Sequence, residues 1–123
     1  MTAALAAALR AAAAGILPGE AGAGLLIDSG AFLRRADFTS RFTGTAASTS
    51  DSATLMAWTD WEAVIDALDQ GQLPASSGET AVLRIAASIA AGTPVSLRDT
   101  ITSLDRRNFA LVTTAIRHAA GHR

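Results

Sequence analysis

Three helix-start signals follow one another closely in the last third of the chain, and they constrain its fold more than any other feature. Ser76 is followed three residues later by Glu79, the spacing of a capping box. Ser96 and Asp105 stand before two further helical patterns, and both residue types accept hydrogen bonds from the free N–H groups of a first turn. The sequence therefore predicts a compact helical unit over residues 76–120.

The earlier segments also have helical patterns, which glycine and proline separate. They predict an Ala-rich N-terminal helix within residues 1–15, helices from Glu20 to Ile27 and from Phe32 to Phe42, and one that begins with a Thr59–Glu62 capping box. Residues 43–54 are rich in Thr, Ser, Ala and Gly and predict a polar loop. We expect one mainly α-helical, bundle-like domain of five to seven helices, with a short β-hairpin near Arg41 and Leu55.

Apolar side chains that recur every three or four residues predict which positions form the core. A stripe of this kind lies on one face of each helix after Leu55, and Phe38 adds an aromatic ring from the first half of the chain. The expected core consists of Phe38, Trp61, Val64, Ile65, Leu68, Val82, Ile85, Ile89, Leu97, Ile101, Leu104, Phe109, Val112 and Ile116.

Composition excludes several classes of site. The chain has no Cys, so disulfides and thiolate metal sites are absent, and all ten of its basic residues are Arg. The formal net charge is −1, so no global positive field attracts a phosphate backbone. The most apolar stretch, Ala3 to Ala14, contains Arg10 and is too short to span a bilayer. We expect a cytoplasmic protein without membrane contact.

Few residues suggest catalysis or a cofactor. His118 and His122 have the spacing at which two imidazoles share a metal, but Gly121 interrupts the helix between them and no acidic residue is near in sequence. Gly22 and Gly24 belong to a glycine-rich stretch that lacks the following Lys-Ser or Lys-Thr of a phosphate loop. No serine lies in a Gly-x-Ser-x-Gly elbow. We therefore expect neither an enzyme nor a bound metal or cofactor.

Arginine and tryptophan, which are enriched where proteins bind one another, provide the candidate partner-binding residues. Arg34, Arg35 and Arg41 accompany aromatic residues in the third helical pattern, and Arg106 and Arg107 lie at the positive end of the last helix. Trp58 completes the set. A solvated helix face, local ion pairs and a partly buried indole explain the same residues without a partner, so both interpretations remain open.

Residues 81–116 have the order helix, glycine-containing turn and short helix, which is loosely typical of a helix-turn-helix. In that interpretation Leu97, Ile101 and Leu104 face the core and the helix after Ser96 reads the DNA. Asp99 counts against this, because a carboxylate repels the phosphates it must pass.

The motifs Trp58-Thr59-Asp60-Trp61 and Leu104-Asp105-Arg106-Arg107-Asn108, with the helix from Ser76 between them, resemble a segment of small, Ala-rich actinobacterial proteins of unassigned function. The resemblance covers residues 55–123 and implies an actinobacterial origin, with no activity, cofactor or catalytic residue attached.

Together these features predict a non-catalytic, helical protein-protein interaction module. The close-packing Ala surface of the N-terminal helix adds self-association, as a homodimer or larger homo-oligomer, to this hypothesis. The alternative hypothesis is a small DNA-binding regulator that uses the helix-turn-helix-like segment at residues 81–116.

Overall fold

The computed structural model describes residues 2–50 and 53–122. Helices predominate, as predicted, and one antiparallel hairpin follows the third of them. In chain order the elements are α1 (Thr2–Ala13), α2 (Leu17–Ser29), α3 (Ala36–Phe42), β1 (Thr43–Ala47), β2 (Leu55–Thr59), α4 (Trp61–Asp69), α5 (Ser77–Ala91), α6 (Leu97–Ile101) and α7 (Arg106–Ala119). No helix in this described part is long and apolar enough to span a bilayer.

Hydrogen bonds confirm the three predicted helix starts in the last third of the chain. The Ser76 hydroxyl accepts from the backbone N–H of Glu79 at 3.1 Å, and the Glu79 carboxylate accepts from the N–H of Ser76 at 2.9 Å. The Ser96 hydroxyl accepts from the N–H of Asp99 at the start of α6, and the Asp105 carboxylate accepts from the N–H of Asn108 at the start of α7. The predicted capping box at Thr59 is wrong, because Thr59 still belongs to β2. The next residue, Asp60, caps α4 instead.

Three other predicted boundaries are also wrong. Helix α2 begins at Leu17 rather than at Glu20, and it ends at Ser29 rather than at Ile27. The expected polar loop at residues 43–54 begins with strand β1, whose Thr43 pairs with Thr59 and whose Ala47 pairs with Leu55. The hairpin therefore uses the residues after Arg41, and the rest of the predicted loop includes residues 51 and 52, which lie outside the described part. Helix α3 begins at Ala36 rather than at Phe32, since residues 32–35 form a turn that the Arg35 N–H closes on the Phe32 carbonyl.

Helix α2 lies at the centre of the fold and packs mainly against α5 and α7, while α1 packs mainly against β2. One group of buried side chains joins α1, α2, α3 and the hairpin and includes Leu26, Phe38 and Leu83. A second group joins α2, α5 and α7 and includes Ile85 and Val112. Helices α2 and α5 contribute to both groups, so the two parts of the core share these two elements.

Close packing of α2 on α5 depends on Gly22. A Cβ atom at this position would lie 2.5 Å from the Cβ of Ala90 and 3.0 Å from the backbone oxygen of Ala86. The neighbouring Gly24 has no such constraint, because its Cβ would meet only the Arg10 guanidinium, at 3.7 Å. Two glycines of one helix thus have different surroundings.

Four residues predicted to lie in the core are exposed instead: Leu97, Ile101, Phe109 and Ile116. The reason differs between the two helices. Helix α6 has five residues and buries only Thr100. Helix α7 contacts the core through Val112 and Ala115, and its apolar stripe is wider than the face that α2 and α5 cover. Phe109 and Ile116 lie on the uncovered side of that stripe. The other ten predicted core residues divide into two groups. Five are buried as predicted: Phe38, Val64, Val82, Ile85 and Val112. Five are half-buried: Trp61, Ile65, Leu68, Ile89 and Leu104.

Candidate functional site

Arg35 is a candidate partner-binding residue whose guanidinium is bound inside the domain. Its Nε and Nη2 atoms donate to the two carboxylate oxygens of Asp37, at 2.9 and 2.6 Å, and Nη1 donates to the carbonyl of Pro74 at 2.7 Å. The hydrogen bonds to Asp37 favour the charged forms, so they lower the pKa of Asp37 and raise the pKa of Arg35. Arg35 therefore joins the start of α3 to the segment between α4 and α5.

Arg34 and Arg41, expected to share a basic face with Arg35, also bind backbone carbonyls. Arg34 donates twice to the carbonyl of Gly30, at 3.0 and 2.8 Å. Arg41 donates to the carbonyl of Gln72 at 3.1 Å and lies over the Phe42 ring, 4.7 Å from its centroid. These contacts fix turns of the chain, so an ordinary structural role accounts for both side chains.

Arg107 connects the start of α7 to the end of α2. Its Nη2 donates to the carbonyl of Asp28 at 2.8 Å, and its Nη1 donates to the carbonyl of Ser29 at 3.2 Å. The last carbonyls of a helix lack partners within the helix and carry partial negative charge. Arg107 supplies donors and a positive charge there, which is again a structural role.

Arg106 has different surroundings. Its side chain has no hydrogen-bond or ion-pair partner among residues 2–50 and 53–122, and the same holds for Arg98 and Arg117. Each of the other six arginines in this part of the chain binds a carboxylate or a backbone carbonyl. All three arginines without a partner lie on α6 or α7.

The same two helices carry four of the large apolar side chains that the fold leaves exposed: Leu97 (57%), Ile101 (49%), Phe109 (56%) and Ile116 (49%). Leu97 and Ile101 are four residues apart, and Phe109 and Ile116 are seven apart, so each pair shares one side of its helix. Arg106 lies one turn before Phe109, and Arg117 follows Ile116. We define the α6–α7 surface as Leu97, Arg98, Ile101, Arg106, Phe109, Ile116 and Arg117.

Trp58, the remaining candidate, lies on the hairpin. It is 52% exposed and pairs with Gly44 across the two strands. A Cβ at Gly44 would lie only 2.6 Å from Cε2 of the indole, so the glycine lets the ring lie flat over β1. The indole therefore covers Gly44 on the opposite strand, while half of its surface remains open to solvent.

A groove of about 310 Å³ lies between α1, α2 and α7. Its lining includes Arg10, Glu20, Asp28 and His118 around an apolar floor that contains Leu25 and Leu111. Arg10 Nη2 is 3.2 Å from Asp28 Oδ1, and His118 Nε2 is 2.7 Å from Glu20 Oε1. The ionisable groups of the groove thus bind one another in pairs.

The described lining of the groove brings together two ionisable pairs and no group of metal ligands. Within the described residues, no three His, Cys, Asp or Glu side chains group closely enough to hold a metal ion. His118 binds Glu20, and His122 lies beyond the end of α7. The second imidazole is therefore not placed beside the first on a continuous helix.

Sequence reasoning identified Arg106 but missed the apolar half of the α6–α7 surface, because Phe109 and Ile116 were assigned to the core. One signal was present in the sequence. Apolar residues occupy Leu111 and Val112 as well as Phe109 and Ile116, which is more of the circumference than one contact face needs. The groove had no such signal, since Glu20 and His118 are 98 positions apart.

Comparisons with known proteins found no similarity that bears on this surface: no family model, no curated protein and no solved structure matches the chain. The resemblance to small actinobacterial proteins therefore stays an expectation.

Proposed function

We propose that this protein is a non-catalytic interaction module, and that its α6–α7 surface binds an apolar segment of another protein that carries acidic residues. One observation carries the proposal. Within the described part of the chain, the arginines without a partner and most of the exposed large apolar side chains occupy the same two consecutive helices. Apolar patches with a polar rim are typical of protein interaction sites.

The chemistry of the surface specifies the partner. Phe109 and Ile116 offer an apolar strip about two helical turns long, on the order of 10 Å, which suits the side chains of an amphipathic helix or an extended segment. Arg106 and Arg117 border the strip and carry charges that nothing in the described part of the chain neutralises. Carboxylates beside the partner's apolar residues would bind these arginines and fix the orientation.

Self-association through the N-terminal helix remains a prediction beside this proposal. In α1, Ala8 and Leu9 are already buried within the domain, while its exposed positions include Ala4 and Ala7. The small exposed side chains offer less apolar surface than Phe109 and Ile116 do. We therefore place the main interaction on the α6–α7 surface.

The experiment places a photoreactive phenylalanine analogue at position 109 and expresses the full chain in its native cells. Ile16 is 65% exposed, against 56% for Phe109, and lies between α1 and α2, so the same analogue there is the matched control. We expect cross-linked protein from position 109 alone, and its loss when Arg106→Glu and Arg117→Glu are added. Equal products from both positions, or none, would refute the proposal.

DNA binding stays a second hypothesis, and the observation in its favour is that Arg98, Arg106 and Arg117 have no partner among the residues that the structure describes. Two observations disfavour it. Leu97 and Ile101 do not face the core as the helix-turn-helix interpretation requires, and Asp99 is exposed on the helix that would read the bases. If DNA binds here, its affinity falls steeply with salt, and Arg106→Ala makes that dependence shallower. If DNA causes no mobility shift of the protein at low salt, this hypothesis is eliminated.

A further inference from the structure

A second exposed surface of this chain has the charge that the α6–α7 surface lacks. Glu62 and Asp66 lie four residues apart on α4, on the side away from buried Val64, and both are exposed. Neither side chain has a partner within residues 2–50 and 53–122. Trp58 precedes Glu62 by four residues on the adjoining strand. We define the β2–α4 surface as Trp58, Glu62 and Asp66.

Few carboxylates in the described part of the chain lack a partner, which distinguishes Glu62 and Asp66 from most of the others. Within the described part, most carboxylates bind an arginine, a histidine or the N-terminus of a helix, as Asp28, Asp37, Asp69, Asp60 and Asp105 do. The carboxylates without such a partner are Glu62, Asp66 and Asp99. Two of these three lie on α4, and all the arginines without a partner lie on α6 and α7.

We propose that the partner of the α6–α7 surface is the β2–α4 surface of a second copy of this chain, an inference that rests on the proposed function. Trp58 packs against the strip formed by Phe109 and Ile116, and the carboxylates of Glu62 and Asp66 bind Arg106 and Arg117. The indole suits this role because it lies over Gly44 with half of its large apolar surface exposed, and burial of that surface favours association. Aromatic residues and arginine are the commonest anchors of such contacts.

Because the two surfaces differ, each molecule binds one neighbour through its α6–α7 surface and another through its β2–α4 surface. A head-to-tail contact of this kind makes rings if the rotation closes and open chains if it does not. A symmetric dimer through one surface alone is a different arrangement, and the test below separates the two.

The test uses two full-length double variants and sedimentation velocity over a range of concentrations. One carries Arg106→Gln with Phe109→Ala and loses only the α6–α7 surface. The other carries Trp58→Ala with Glu62→Gln and loses only the β2–α4 surface. Neutral replacements avoid creating a new attraction between the variants. Circular dichroism and thermal melts check that both keep the native fold, as expected for exposed side chains.

We expect the wild-type chain to form species larger than a monomer as its concentration rises, and each variant alone to remain monomeric. An equimolar mixture of the two variants should form a one-to-one dimer and nothing larger, because each contributes one intact surface. Arg10→Glu, a charge change at the groove, should leave wild-type association unchanged.

Three outcomes would overturn the inference: a wild-type chain that stays monomeric, a single variant that still associates, or a mixture that fails to form the dimer. The first of these, together with position-109 cross-links to a different protein in cells, would leave the proposed function intact. Failure to cross-link at position 109 would remove the proposed function itself.

Discussion

Gly22 and Gly24 provide a matched pair that tests the packing of α2 on α5. Both lie inside α2, and each can be changed to alanine. An alanine at position 24 gains a methyl group that meets only the tip of the Arg10 side chain at 3.7 Å, an ordinary contact. An alanine at position 22 places its methyl group against Ala90 and the backbone oxygen of Ala86, neither of which can rotate away.

The two substitutions should change stability in opposite directions. Replacing glycine by alanine inside a helix stabilises it by about 1 kcal/mol, and Gly24→Ala should show most of this gain. Carbon atoms in contact normally lie about 3.5 to 4.0 Å apart, so the 2.5 Å approach at Gly22 forces α2 and α5 apart by roughly 1 Å. Overpacking of this kind costs about 1–3 kcal/mol, and α2 loses contacts along its whole length. We expect Gly22→Ala to be less stable than wild type by about 1–2 kcal/mol.

Urea denaturation followed by circular dichroism measures both free energies of unfolding, with an expected difference of about 2–3 kcal/mol between the variants. The corresponding melting temperatures should differ by roughly 10 °C for a chain of this size. If Gly22→Ala proved as stable as Gly24→Ala, α2 and α5 would not approach each other at this point, and the central packing described above would be wrong.

Three further predictions concern single side chains. Ile85→Asp should cost several kcal/mol because an unpaired charge enters the core, whereas Ile116→Asp, half exposed, should change stability by no more than about 0.5 kcal/mol. If the two variants had equal urea midpoints, the assignment of Ile85 to the core and of Ile116 to the surface would be contradicted. Ser76→Ala should lower the free energy of unfolding by about 1 kcal/mol through loss of the cap, and an unchanged midpoint would contradict this. In an NMR titration Asp37 should have a pKa below its usual value, and Arg35→Gln should raise it towards that value. Because this pKa is lowered in the folded state, the Arg35–Asp37 pair stabilises the fold at neutral pH. That stabilisation is lost in acid, as the pH falls below about 4 and passes through the pKa of Asp37 in the folded state.

Features set by neighbouring residues were the ones that the sequence predicted well. The helix starts at Ser76, Ser96 and Asp105 each depend on a side chain and an N–H group three residues away, so local spacing was sufficient. The predicted cap of α4 was one residue too early. Thr59 and Asp60 are both good caps, and only the pairing of Thr59 with Thr43 in the hairpin decides between them.

Exposure and the choice of salt-bridge partner depend on tertiary packing, and here sequence reasoning was limited. An apolar stripe indicates which side of α7 can be buried, but it does not show how much of that side its neighbours cover, so Phe109 and Ile116 were misplaced. Arg106 and Arg107 look equivalent in the sequence. Only the fold shows that Arg107 binds the end of α2 while Arg106 remains without a partner in the described chain.

The central position of α2 has a consequence for the order in which the protein forms during synthesis. Residues 17–29 leave the ribosome early, but the helices that cover them, α5 and α7, are translated 48 or more positions later. Ala21 and Leu25 therefore remain exposed to water until residues 106–119 have emerged from the ribosome. Before then, α1 and the hairpin can form only part of the hydrophobic core. A nascent chain stalled before α7 should bind chaperones or the dye ANS, and it should lose that property once α7 has emerged from the ribosome.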